Sequence, residues 1–258
     1  MEDLRKSVLT SLDGKNDDLY PFLPYLLQDL WEMGTSAEII INLVKKYRIN
    51  HSRNVKVLDL GCGKGAISVN LAKTFGFHVH GIDGMSEFIK DANMWAEKYD
   101  VSHLCRFEVG DIRLLVDHLE DYDIIILGSI GPVLGNIEET LRKVMRCLRK
   151  NGVVILDNCY IPKDSKIKLQ HYPTQSEVLT QIQNSHFDVI EEHMIDQNYI
   201  KESDAVIFES IHSRVMELKL KYPEKVFLFE QYLKTQEEEN DILENHVRCV
   251  TWLLRKEN

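Results

Sequence analysis

The chain has 258 residues, with 31 basic against 41 acidic side chains and a formal net charge of −10. That length buries one sizeable core without requiring a second independent domain, and the charge has the wrong sign for tracking a phosphate backbone, so nucleic acid is not the expected partner. No apolar run approaches a membrane span, residues 1–16 lack the core of a signal peptide, and the five scattered cysteines, with no CxxC pair, read as reduced thiols in a cytoplasmic protein.

Residues 1–50 are helical in pattern. Tyr20-Pro21-Phe22-Leu23-Pro24-Tyr25 and Trp31 form an aromatic cluster broken by prolines. Thr35 with Glu38 reads as a capping box, after which Ile39, Ile40, Leu43, Val44 and Tyr47 fall on one helical face. On its own terms the segment is an N-terminal helical cap covering one edge of a core.

The chain is organised around residues 55–75. Val55 to Leu60 is a short apolar run rich in β-branched residues, the pattern of a buried strand. It runs into Gly61-Cys62-Gly63-Lys64-Gly65, where the glycines serve a sharp turn that brings backbone close to a ligand. Ile67, Leu71 and Phe75 then recur at helical spacing. Strand, glycine turn and helix open a nucleotide-binding βα unit. Asp59, at the strand's end, is expected to face the ligand. A carboxylate there would repel a pyrophosphate by roughly 4 kcal/mol per charge pair at surface-like dielectric, and would attract an ammonium or sulfonium instead.

Strand and helix patterns then alternate. Residues 77–82 form a second strand closing on Asp83, residues 104–109 a third ending at Gly110-Asp111, residues 123–127 a fourth followed by Gly128-Ser129-Ile130-Gly131, and residues 153–156 a fifth closing on Asp157. Ser86 is placed to cap one intervening helix, and Asn136 with Glu139 to open another. Such repeats argue for an open, doubly wound, mostly parallel sheet. Residues 187–195 and 248–254 read as two further strands, and the helical stretch 201–246 between them is either a substrate lid or a dimer surface.

The run Asp59-Leu60-Gly61-Cys62-Gly63-Lys64-Gly65, with Asp83 and Asp111 at later strand ends, resembles the first motifs of the class I S-adenosylmethionine-dependent methyltransferases, in their small-molecule subgroup. The resemblance implies an α/β fold: a seven-stranded Rossmann-like sheet with an antiparallel last strand, spanning 51–258 behind the cap of 1–50 and carrying the helical insertion 201–246. It implies S-adenosylmethionine as cofactor, with Asp59 attracting its ammonium and sulfonium and Gly61, Cys62 and Gly63 of the glycine loop among the residues that bind it. Asp83 would accept both ribose hydroxyls beside Gly84, Gly110-Asp111 would meet the adenine amino group, and Met85 and Ile112 would pack on the ring. Gly128 would close the pocket, with Tyr20 or Trp31 folded over it.

For chemistry, Asp157, Tyr160 and His171 fall near the pocket's edge in that topology, His171 being the best general base by its ordinary pKa. The expected function is in-line methyl transfer to a small-molecule acceptor by a monomer or homodimer. A nicotinamide-dependent oxidoreductase and a catalytically idle S-adenosylmethionine-binding regulatory partner are the alternatives. His78 and His80 share one face of the second strand and read as exposed strand residues, with no third ligand at metal spacing, so no metal is expected. Glu237-Glu238-Glu239 with Asp241 reads as a solvated helix face.

Overall fold

The computed structural model describes residues 3–49, 54–165, 167, 169 and 172–257. The apolar runs form strands β1 (Lys56–Leu60), β2 (His78–Asp83), β3 (Cys105–Val109), β4 (Tyr122–Leu127), β5 (Leu148–Tyr160), β6 (Phe187–Met194) and β7 (Arg248–Lys256). They make one seven-stranded sheet in the order β3-β2-β1-β4-β5-β7-β6, in which β7 alone runs antiparallel to its neighbours. Strand order reverses between β1 and β4. Ligands of such sheets sit at that reversal, beyond the strands' carboxyl ends.

Helices cover both faces, which is why the inner strands can be apolar on both. On one side α3 (Ala37–Lys46), α4 (Ala66–Phe75) and α5 (Ser86–Lys98) supply Ile40, Val44, Val69, Leu71 and Ala96 against Val57, Ile124, Ile126 and Ile155. On the other, α6 (Ile112–Leu115), α7 (Ile137–Val144) and α8 (Gln175–Asn184) bury Ile112, Leu141, Val144 and Ile182 against Leu58, Ile125, Val154 and Trp252. Asn136 and Glu139 do make the reciprocal capping box that opens α7.

A third cluster lies off the sheet. Leu9 of α1 (Leu4–Ser11) and Leu23 and Leu26 of α2 (Leu23–Leu26) pack with Ile211 and Val215 of α9 (Gln197–Lys221) and with Phe229 and Tyr232 of α10 (Val226–Asn245). Met85 and Phe88, just past β2, join the same cluster. The N-terminal helices and the helices between β6 and β7 therefore share one apolar core. Asp29 on the N-terminal side takes a two-pronged ion pair from Arg214 of α9, at 2.5 and 2.9 Å.

Several local expectations are corrected. The helix after Thr35 is capped at Ser36 without a side-chain bond, because the Thr35 hydroxyl is bonded instead to Ser129, at 2.9 Å. His80 is buried rather than exposed: its ring nitrogens meet the Tyr122 hydroxyl at 2.7 Å and the Glu108 carboxylate at 3.1 Å. The five cysteines are not all thiols. Cys159 and Cys249 face each other in register across β5 and β7 and form a disulfide. Their 90-residue separation hid that adjacency in the sequence.

Candidate functional site

The glycine turn after β1 owes its shape to left-handed backbone at Gly61 (φ +73°) and Gly63 (φ +51°). A side chain at Gly61 would meet Ile130 at 2.5 Å, so that position needs glycine on steric as well as conformational grounds, whereas one at Gly63 would meet only the terminal methyl of Met33, at 2.9 Å, and there the positive φ is the constraint. The turn is tied to the next strand end. Gly63 N–H donates to one oxygen of Asp83 at 2.9 Å, and Met85 N–H donates to the other at 2.9 Å. Burial pushes the Asp83 carboxyl up, and these backbone donors pull it back. Gly84 N–H is a further donor, and the carboxylate's remaining acceptor capacity is open to a ligand.

A cavity of about 130 Å³ opens beside this turn. Its floor is Gly61, Gly63, Asp83, Gly84, Gly110 and Asp111, which are the ends of β1, β2 and β3. Ile112, Gly128, Ser129, Ile130 and Val133 close one side, and Met33 and Phe88 another. The roof is α1, through Leu4, Ser7, Val8, Ser11 and Leu12. The approach is close: a Cβ at Gly84 would lie 2.6 Å from Val8. The cavity thus brings together Gly61, Gly63, Asp83, Gly84, Gly110, Asp111, Ile112 and Gly128 of the expected residues.

Others stand elsewhere. Asp59 does not face the cavity. Strand alternation turns it to the α4 side, where it is 1% exposed and accepts a 2.6 Å hydrogen bond from Ser68. The Cys62 side chain also points down, toward Gly81 of β2, and burial pushes its thiol well up. Met85 lies in the off-sheet apolar cluster, and Phe88 takes the cavity position expected of it. Trp31 stacks on Trp95 at 4.3 Å and donates from its indole nitrogen to the Lys64 carbonyl at 3.1 Å, so Met33, two residues on, reaches the cavity instead. Tyr20 lies under the Arg5 guanidinium, 4.7 Å from the ring centre, and is not on the cavity wall.

Asp111 has work of its own: it caps α6 and holds Arg113 in a bidentate pair, with contacts from 2.8 to 3.2 Å, which keeps its carboxyl below the usual range. α1 and the Met33 and Val133 contributions were missed in the sequence. The only signal of α1 is apolar residues at helical spacing, which core packing produces equally well, and Met33 and Val133 lie in loops with no periodic signal.

Of the expected catalytic residues, Tyr160 is 3% exposed, packs on Trp252 and bonds to Glu192 at 3.2 Å, away from the cavity. Its position on β5 turns it to the α8 face. His171 lies outside the described residues. Asp157 ends on the opposite face to Tyr160's, beside the Thr251 and Thr35 hydroxyls, with one carboxyl oxygen shielded and unpartnered; burial pushes it up to about 6.

Asp59 is likewise pushed up to about 6 by burial, with the nearby Asp83 charge adding to the effect. The native state therefore holds a proton that the unfolded chain has already lost, and stability falls as pH rises from about 4 through about 6, by up to ~3 kcal/mol for a shift of about two units. Urea unfolding of wild type is expected to show that fall, and Asp59→Asn, which stays neutral, to lose less of its stability over the same window. Equal pH slopes in the two proteins would contradict the assignment.

A doubly wound sheet whose reversal point carries a glycine turn, a carboxylate at the end of β2 and a roofed cavity is the architecture of nucleotide-binding α/β proteins. The family model of a methyltransferase domain matches residues 51–205, and the chain belongs to that methyltransferase-domain family. Among solved structures, a methyltransferase from Geobacter sulfurreducens in complex with S-adenosyl-L-homocysteine superposes with a TM-score of 0.76 at 18% identity, covering 92% of this chain and 98% of that one. A Thiobacillus denitrificans methyltransferase with the same ligand matches equally, with a TM-score of 0.76.

Among curated relatives, a ubiquinone biosynthesis O-methyltransferase of Rickettsia akari is 26% identical over 122 residues, 46% of each chain. A ribosomal protein L11 methyltransferase of Thermosipho melanesiensis is 33% identical over 135 residues, 52% of this chain and 47% of that one. The chain spans about half the length of the curated relatives it matches. Among the described residues no helix is long and apolar enough to cross a membrane.

Proposed function

We propose that this methyltransferase acts on a small-molecule acceptor. The observation that carries the reading is the roof: α1 lies along the cavity, and α9 and α10 pack over α1 and α2 in turn. A folded protein or nucleic acid would have to displace two layers of helix to present an atom there. The cavity as it stands is also smaller than the ~300 Å³ at which ligand pockets usually begin, so α1 shifts outward to admit its ligands and closes again over them.

When bound, S-adenosylmethionine supplies the methyl group and a leaving thioether. The chain's residues do the rest. Asp83 accepts the ribose hydroxyls on its remaining lone pairs. Backbone at Gly110 and Asp111, with the part of the Asp111 carboxylate that Arg113 leaves free, meets the adenine edge, and Ile112 packs on the ring. Gly61 and Gly63 let the methionine end approach backbone N–H groups. Closure of α1 excludes water and holds the acceptor in line, where most of the rate is gained. Ser129 on the wall, the Thr35 hydroxyl bonded to it and Asp157 behind Thr35 form a path by which an acceptor proton can leave.

Labelled S-adenosylmethionine incubated with the enzyme and a fractionated cell extract tests the acceptor class. Label is expected in the low-molecular-weight fraction; transfer confined to protein or RNA would overturn the small-molecule reading.

A further inference from the structure

Between the apolar core of α1, α2, α9 and α10 and the strand end at Cys159–Cys249 lies a polar cluster with an excess of one charge. Asp204 of α9 is 9% exposed, and one of its carboxyl oxygens is shielded from solvent without any hydrogen-bond partner. Glu239 of α10 turns inward from its acidic run, against the expectation of a solvated face, and accepts from the Tyr172 hydroxyl. Asp13 accepts from Gln236 at 3.1 Å. Glu244 adds a further carboxylate near Asp204.

Among the described residues no lysine, arginine or histidine forms an ion pair with Asp13, Asp204, Glu239 or Glu244. Burial pushes the Asp13 and Asp204 carboxyls up to about 6, and the charge of Glu239 adds to both. A protein does not hold like charges in a desolvated pocket without cost, and an unpartnered buried carboxyl oxygen calls for a missing donor.

For the missing partner, no group of carboxylates, cysteines or histidines among the described residues converges closely enough to form a metal site. The partner's place in the fold indicates what it is. Ser11 and Leu12 are walls of the cofactor cavity, and Asp13 is the next residue. The cluster therefore begins where the cavity ends, just past the C-terminal end of α1, whereas Leu4 and Val8 of the same helix approach Gly84 beside Asp83.

We propose that the acceptor molecule carries a protonated amine, and that Asp13, Asp204 and Glu239 bind it. This rests on the small-molecule reading above and gives that acceptor its chemical class. The Asp204 oxygen gains its donor, Tyr172 and Gln236 keep the other two carboxylates oriented, and the ligand offsets the repulsion that the charge of Lys15, felt by Asp13, leaves in place. α9 and α10, which supply two of the three carboxylates, are then acceptor-recognition elements as well as a roof.

The test is thermal melting and calorimetric titration of the full chain, with S-adenosylhomocysteine present, against ethanolamine, putrescine and tyramine. Their uncharged counterparts ethylene glycol, 1,4-butanediol and 4-hydroxyphenylethanol serve as controls. At least one amine is expected to bind and raise the melting temperature where its counterpart does not. Asp204→Asn and Glu239→Gln are each expected to weaken that binding about tenfold or more. Both variants are expected to melt no lower than wild type without ligand, because each removes a repulsive charge. S-adenosylhomocysteine binding should be unchanged in both.

If no amine outbinds its neutral counterpart, or if the variants bind the amine as well as wild type does, the inference is overturned. If S-adenosylhomocysteine itself fails to bind wild type, the fault lies in the cofactor-site reading on which it rests.

Discussion

Asp83→Ala is expected to cost the enzyme most of its affinity for S-adenosylmethionine. In the structure the part-buried carboxylate stands at the end of β2 on the cavity wall, braced by the backbone donors of Gly63, Gly84 and Met85. Two ribose hydroxyls bonded to a charged acceptor contribute about 1.5–3 kcal/mol each, so the loss should lie between roughly a hundredfold and ten-thousandfold, less whatever water recovers. Asp83→Asn keeps the shape and one acceptor, and should fall between the two. Calorimetric titration of S-adenosylhomocysteine reads the effect directly. An alanine variant that binds within threefold of wild type would mean that the ribose lies elsewhere.

The second large effect is expected at Lys64. This lysine stands inside the glycine turn, yet its side chain is only 2% exposed. Its ammonium donates to the Leu27 carbonyl at 2.6 Å, pairs with Asp91 at 3.4 Å and lies 5.6 Å from the centre of the Phe88 ring. In return, Trp31 bonds to the Lys64 carbonyl. One residue thus pins the N-terminal segment to the cofactor turn in both directions. Removing a large buried side chain and leaving a carbonyl without its donor should cost about 3 kcal/mol or more. Lys64→Ala is expected to unfold at lower urea and to lose cofactor affinity as α1 and Met33 lose their support. Lys64→Met restores the buried stem and should recover part of the stability but not the tethering. An alanine variant within about 0.5 kcal/mol of wild type would place Lys64 among ordinary surface residues.

The alternation of strand and helix, the glycine turn and the strand-end acids were legible because each is local. A β-branched run, a Gly-rich break and a helical repeat state their own geometry within some twenty residues. The same locality explains the misses. Asp59 and Cys62 sit in the motif, but which way a side chain leaves a strand depends on which face the helices cover, and that is settled by residues far along the chain. Trp31 offered the larger ring, and stacking on Trp95 and Tyr99 took it away from the cavity, leaving Met33 in its place. The inward turn of Glu239 was invisible for a related reason. An acidic run looks solvated until a second helix and Tyr172 close over one of its members.

The helical stretch 201–246 could be read as either a lid or a dimer surface. Its packing on α1 and α2, and the Arg214–Asp29 pair, tie it to the roof of the cavity. That supports the lid reading, and hydrogen-exchange protection of α9 and α10 is expected to rise when cofactor and acceptor bind together.

The most direct measurement is a crystal structure of the protein with S-adenosylhomocysteine. The account predicts the ligand in the cavity beneath α1, its ribose on Asp83, its adenine beside Ile112 and its sulfur facing Ser129 and Ile130. A ligand bound outside that cavity, or a ribose with no contact to Asp83, would contradict it.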